Sequence, residues 1–279
     1  MLDTFNTIVP STSQFFEFNY AAINSAERRS QAWSKPRGVS MIRFLLIGPG
    51  GGAANGFTNR TGGGSGAITS WLVPAMFVPD TLIITPGVSG LGGAASNSTS
   101  NNGTNGGTTT VAITPSIVIL QANAGGGGGA SAGTGGSSTA TTGYTDVGIY
   151  VSIAGQAGAA AGASITASTT TPLSGGAGGG GAAATGGSVT PQYSYPTIAG
   201  GDGEAFTIGG RGRDGYFMTQ PLLFGCGGSG GGGSGNNNGG NGGNGAIGCG
   251  GGGGGARGGG AVAGAGGNGG NGAVFIWAW

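Results

Sequence analysis

The stretch "MIRFLLIGPGGGAANG", residues 41–56, decides the fold. An apolar strand runs straight into a glycine turn, which is how a dinucleotide-binding domain opens. Such a domain needs a helix next, with its N-terminus at the phosphate, and an acid about 20 residues on. Neither follows. Residues 48–66 read "GPGGGAANGFTNRTGGGSG", and each glycine inside a helix costs about 1 kcal/mol relative to alanine. No Asp or Glu stands between Glu27 and Asp80, and no glycine-lysine-serine/threonine sequence exists. Nucleotide binding is excluded, and no cofactor is expected. The glycines serve another purpose.

Working outward, 74 of the 279 residues are glycine, against a usual share of roughly 7%. Glycine does not recur strictly at every third position, so the chain is not collagen. Only 6% of residues are charged, histidine is absent and the net charge is +1. That leaves no electrostatic footprint for nucleic acid or an anionic membrane. No run approaches the roughly 20 apolar residues of a membrane span, so no membrane insertion is expected. The early residues Asp3, Glu17, Glu27, Arg28 and Arg29 do not resemble a secretory signal.

Beyond the opening strand, short β-rich words alternate with glycine tracts. "VSMIRFLLI" (39–47), "AITSWLV" (67–73), "TLIIT" (81–85), "TTTVAI" (108–113), "IVILQ" (117–121), "GIYVSI" (148–153) and the closing "AVFIWAW" (273–279) read as strands. The most apolar words stand near both ends of the glycine-rich region. A terminal strand needs a partner, so the tracts between are expected to return to one core. The fold class expected is all-β: a jelly-roll-like antiparallel sandwich carrying glycine-rich insertions. Residues 1–37 hold Phe5, Phe15, Phe16, Phe18, Tyr20 and Trp33 with few glycines. They read as an N-terminal arm or attachment segment, with a short helix expected within "NYAAINSAERRSQAW" (19–33). Residues 38–279 form the glycine-rich domain.

The long tracts, above all residues 225–272, pose a choice between flexible linker and ordered bundle. Ordering a glycine costs roughly 0.5–1 kcal/mol more than ordering an alanine. The tracts nevertheless carry almost no charge, unlike disordered segments, and they are bracketed by strands. The ordered form expected is a bundle of polyglycine-II-type helices, extended and left-handed with three residues per turn. Such a helix makes no internal hydrogen bonds, so its backbone groups must bond sideways to neighbours. Only glycine lets those neighbours come close enough.

The order of the words carries a resemblance. "WSKPRGVSMIRFLLIGPGGGAANG", "GGGSGAITSWLVP", "LIITPGVSGLGG", "GGTTTV", "ILQANAGGGGG" and "GGNGGNGAVFIWAW" follow one another over residues 33–279. This resembles the glycine-rich domain family of bacteriophage tail fibre and other virion proteins. A more distant likeness is to the tumour-necrosis-factor-like glycine-rich domain of some receptor tyrosine kinases. The resemblance implies a β-sandwich carrying polyglycine helices at the outside of a particle. It brings no catalytic residues.

The side chains add no catalytic centre. Without histidine the usual acid–base residue is missing, and no catalytic or metal-binding residue is assigned. Cys226 and Cys249 read as small packed side chains, with a disulfide as the alternative; two cysteines without histidine or nearby acids make a poor zinc site. Asp202, Glu204 and Asp214 near Arg211 and Arg213 read as a self-paired loop, with a cation or sugar site as the alternative. Tyr144, Tyr150, Tyr193, Tyr195 and Phe217 are the candidate receptor-contact aromatics.

The expected role is a non-enzymatic virion structural protein, assembled in the host cytoplasm and exposed outside. A tail-fibre or receptor-binding adhesin comes first. A capsid decoration or cement protein is the alternative, and an ice-binding or cell-surface module the second. Expected partners are other virion proteins through the arm, a host surface glycan or protein receptor, and two further copies in a homo-trimer.

Overall fold

The computed structural model describes residues 14–19, 30–139, 145–168, 170–191, 195–219 and 223–279. In chain order the longer strands are β1 (Gln14–Asn19), β2 (Gln31–Ser34), β3 (Met41–Ile47), β4 (Ile68–Pro74), β5 (Thr81–Thr85), β6 (Thr109–Thr114), β7 (Ile117–Ala122) and β8 (Ile149–Ile153). Four two-residue strands follow: β9 (Ile165–Thr166), β10 (Val189–Thr190), β11 (Phe217–Met218) and β12 (Phe224–Gly225). β13 (Ala273–Ala278) closes the chain. One sheet has the order β1-β13-β3-β4-β8 and the other β2-β5-β6-β7. Every pairing in both is antiparallel. All seven words read as strands are strands, and the closing one pairs with β3, joining Ala273 to Ile47 and Ala278 to Ile42.

The reason "MIRFLLI" is apolar almost throughout is that both faces of β3 are covered. Side chains alternate along a strand. Ile42, Phe44 and Leu46 enter the core between the sheets with Trp33, Trp71, Leu82, Val111 and Leu120. Leu45 and Ile47 face the other way, onto Leu173, Cys249 and Phe275. The central aromatics interlock: Phe44 stacks on Trp71 at 5.8 Å and meets Trp33 edge-on at 5.9 Å. Trp71 also donates its Nε1–H to the Val147 carbonyl at 2.8 Å, which satisfies its buried polar atom.

Where it is described, the expected arm packs on the main domain. β1 pairs with β13 along its whole length, and β2 pairs with β5. Phe16 and Phe18 alternate with Glu17, pack on the core and make β1 an edge strand. Residues 31–33 of the expected helix lie in β2; its residues 20–29 lie outside the described residues.

The sheets continue directly into the glycine tracts, which lie side by side as extended rods. The rod at 248–256 is buried throughout, and its amides point in turn to three neighbours. Gly250, Gly253 and Ala256 donate to Ser174, Ala177 and Gly180. Gly251 and Gly254 donate to Gly51 and Ala54, and Gly252 and Gly255 to Gly243 and Gly240. Its carbonyls accept from three other rods: from Gly228 and Gly231, from Gly63, and from Gly267 and Gly264. The rod therefore has six hydrogen-bonded neighbours, and each partner recurs every third residue. The rod at 226–235 repeats the arrangement. It donates to the rods holding Arg213, Gly187 and Gly253, and accepts from those holding Ala177, Gly243 and Gly201.

This packing explains the composition. Left-handed φ is confined, among the described residues, to five glycines plus Arg60 and Ala183, so backbone freedom is not why the rods are glycine. Sterics are. A Cβ built on Gly176, Gly230, Gly252 or Gly264 would overlap the backbone carbonyl of a neighbouring rod. Each lateral bond contributes roughly 0.5–1.5 kcal/mol net, comparable with the extra entropy cost of ordering a glycine.

Outer rods need a different partner, and asparagine supplies it. Asn238, Asn241 and Asn244 recur every third residue, and their Oδ1 atoms accept the amides of Val262, Ala265 and Asn268 at 2.8–2.9 Å. In return Gly239, Gly242 and Gly245 donate to the carbonyls of the same three residues. Asn268 and Asn271 continue the pattern toward Gly92 and Ser89.

Candidate functional site

The rods have two ends. One joins the sandwich: Gly48, Gly66, Gly87, Asn123, Gly248 and Gly272 lie there, linked by bonds such as Gly66 to Gly248 and Gly272 to Gly87. At the other end the rods turn back in loops around residues 56–60, 94–101, 181–184, 203–208, 235–238 and 257–263. Cross-bonds gather these loops: Gly56 to Gly264, Ala263 to Ser96, Gly233 to Ala184, Glu204 to Gly233 and Gly258 to Asn237, all at 2.8–2.9 Å.

The loops are pinned through polar side chains, of which Asn55 and Ser234 are buried and Asn237 is exposed. Asn55 is fully buried; its Nδ2 donates to the carbonyls of Ala94 and Thr99, and its Oδ1 accepts the Asn101 amide, each at 3.0 Å. Ser234 Oγ donates to the Thr207 carbonyl and Asn237 Nδ2 to the Phe206 carbonyl, both at 2.7 Å. These bonds fix the backbone and leave other side chains outside. Phe206 is 77% exposed and Ile208 62%. Arg257 places its guanidinium 4.9 Å from the centre of the Phe57 ring. Two non-glycine residues with left-handed backbone, Arg60 (φ 50°) and Ala183 (φ 55°), belong to these loops.

The candidate aromatics lie elsewhere. Tyr150 is half-buried, packs on the sandwich core and bonds Thr139 Oγ1 through its hydroxyl at 2.8 Å. Tyr195 packs against Phe224 with ring centres 4.7 Å apart, and Phe217 rests on the cluster under β3. These three are packing anchors. Tyr144 and Tyr193 lie outside the described residues. Phe206 and Ile208, not among the sequence candidates, are the most exposed large apolar side chains of these loops, while Met76, Phe77 and Ile149 are exposed on the sandwich; the signal for the first two is the word "AFTI" amid glycine.

Asp214 and the two cysteines are also structural. Arg211 pairs with Asp214 at 3.2 Å, and Asp214 Oδ1 accepts the Asn244 amide. Among the described residues no three His, Cys, Asp or Glu side chains gather to hold a metal. Cys226 and Cys249 are free thiols, both fully buried. Burial pushes the Cys226 thiol up to about 11 and the Cys249 thiol well above the usual range. Burial also raises Tyr216 to about 12, with Cys226 beside it adding to the shift. Buried neutral thiols are inert nucleophiles.

At the opposite end of the molecule, the last residue is fixed. The Trp279 carbonyl accepts the amides of Ser40 and Met41 at 2.7 and 2.9 Å. Nearby, Lys35 pairs with Asp80 at 3.0 Å beside a cleft of about 550 Å³ bounded by Arg37, Val39 and Met76.

This architecture, a two-sheet antiparallel sandwich continued by hydrogen-bonded glycine rods, defines a class. The family model described as glycine-rich domain matches residues 25–279, and the chain belongs to that family. No curated protein sequence matches it.

Proposed function

We propose that this chain is a non-enzymatic structural protein of a bacteriophage particle, a tail-fibre tip or receptor-binding adhesin. One observation supports the reading above all. A laterally bonded bundle ends in loops whose backbones are pinned and whose side chains, Phe206 and Ile208 foremost, remain exposed. A rigid stem with outward loops is what recognition on a particle surface requires. The three-residue step of the lateral bonds supports reading the rods as polyglycine-II helices. Such a stem offers proteases no loosely held backbone between its ends.

In this reading the loop end meets a host surface glycan or protein, and the sandwich end, where Trp279 lies, faces other virion proteins. The copies assemble as a homo-trimer. A capsid decoration role would use a free arm to grip the shell. Residues 14–19 and 31–34 of that arm are committed to the two sheets, which favours the adhesin. The asparagine column does not favour an ice-binding face, because its Oδ1 acceptors already bond the neighbouring rod.

The test is binding of the purified chain to host cells. Exchange of residues 203–208 and 235–238 for glycine-serine loops abolishes binding if the reading holds, while circular dichroism shows that the chain still folds. Uptake of the chain by phage shells, with no binding to cells, overturns it in favour of decoration.

A further inference from the structure

We infer that the loop end contains an anion-recognising contact, built on Arg60 and Arg257, for a sugar bearing a carboxylate or phosphate. The inference rests on the recognition reading above and adds a ligand class to it.

Arg60 stands in the turn after Gly56 with φ 50°, a conformation disfavoured for residues with a Cβ. Its backbone is held on both sides: the amide donates to the Asn55 carbonyl at 3.2 Å, and the carbonyl accepts the Gly179 amide at 2.7 Å. This fixes where the side chain leaves the turn. The guanidinium reaches over Gly181, so close that a Cβ there would lie 3.4 Å from Nη1. Its Nε is shielded from water and has no acceptor, so the group is only partly satisfied. Arg257, on a neighbouring rod, covers Phe57 in the same turn. Ala256, next to Arg257, donates its amide to Gly180, next to the Gly181 that Arg60 covers, so the two arginines leave adjoining backbone segments.

Among the described residues no acid forms a salt bridge with either arginine. The salt bridges among the described residues are Lys35–Asp80 and Arg211–Asp214. With a net charge of +1 over the whole chain, these two cations are a local feature and not part of a general basic field. A guanidinium presents a planar fork that matches a carboxylate or phosphate through two parallel bonds. One hydrogen-bonded step away, Asn237 accepts the Gly258 amide and holds the Phe206 carbonyl. That places an exposed aromatic ring on the same end as the arginines. Cationic forks and an exposed ring on one end of the molecule suit a sugar with one acidic substituent.

The full-length chain is titrated by calorimetry with glucuronate, glucose 6-phosphate and glucose. Saturable binding of glucuronate or of the phosphosugar is expected, at least about tenfold tighter than glucose. Preference between the two identifies the carboxylate or the phosphate as the recognised group. Arg60→Gln and Arg257→Gln each weaken the acidic sugar about tenfold, while Arg211→Gln does not, and circular dichroism confirms that all variants fold. Equal binding of glucose, no saturable binding, or binding indifferent to Arg60→Gln overturns the inference. If the arginine variants still bind cells and the loop exchange does not, the adhesin stands and the anion contact falls.

Discussion

The amide of Gly253 meets the carbonyl of Ala177 at 2.8 Å, and the same two rods bond again three residues away on either side, at Gly250 to Ser174 and Ala256 to Gly180. This recurrence makes the tracts a lattice. A linker would show neither the period nor the constancy of partner.

Gly252→Ala forces a methyl group onto the carbonyl of Ser229. Neither atom can move without displacing a whole rod, so the loss is expected at about 3 kcal/mol or more, the upper end for overpacking. Gly259→Ala meets nothing within 4 Å and is expected to change stability by less than about 0.5 kcal/mol. Thermal denaturation of the two variants separates the steric account from a purely entropic one, which makes both substitutions alike.

Amide hydrogen exchange is expected to be slowest in the strands and at 226–234 and 248–256, and fast at 236–238 and 259–260, which are exposed. Uniformly fast exchange through the buried rods contradicts the lattice.

The Asn241 side chain accepts the Ala265 amide at 2.9 Å. Asn241→Ala removes that acceptor and is expected to cost about 1 kcal/mol. Asn241→Asp keeps an oxygen in the same place and costs less. Denaturant titration of the pair checks whether the column works through Oδ1.

Both thiols are held neutral by burial, with the Cys226 value raised to about 11. A raised value in the folded state adds stability in full below the unfolded thiol's pKa, roughly 8.5, and that stability is lost as pH rises through the folded value. The melting temperature is therefore expected to be insensitive to these thiols near neutrality and to fall between about pH 9 and 11. Cys226→Ala flattens the fall. Native protein at pH 8 is expected to resist a thiol reagent that labels both cysteines after denaturation.

The strands were legible because β3, β4 and β13 are apolar words set off by glycine. β1 was legible in principle, since Phe16 and Phe18 alternate with Glu17 and Asn19, but its aromatic density reads equally as an attachment segment. The rods were legible only as a kind of structure. Which glycine faces which depends on register between tracts more than a hundred residues apart, as with Gly251 and Gly51, and glycine carries no side chain to announce it. The loop end stayed hidden for the same reason: the loops around Arg60 and Phe206 come to one end of the molecule only after the rods have been stacked. The Asn-Gly-Gly triplets at 238–243 and 268–270 are the one part of the register written in the sequence.

A rod that repeats every three residues cannot be altered by one. Deleting a single glycine between 248 and 256 would shift everything beyond it by one place in the three-residue bonding pattern and aim each later amide at the wrong companion. Descendants of this gene can lengthen or shorten the rods only in whole triplets, and adjoining segments must change together. The height at which the loops are carried is thus quantised, while the loops themselves are free to vary in length residue by residue.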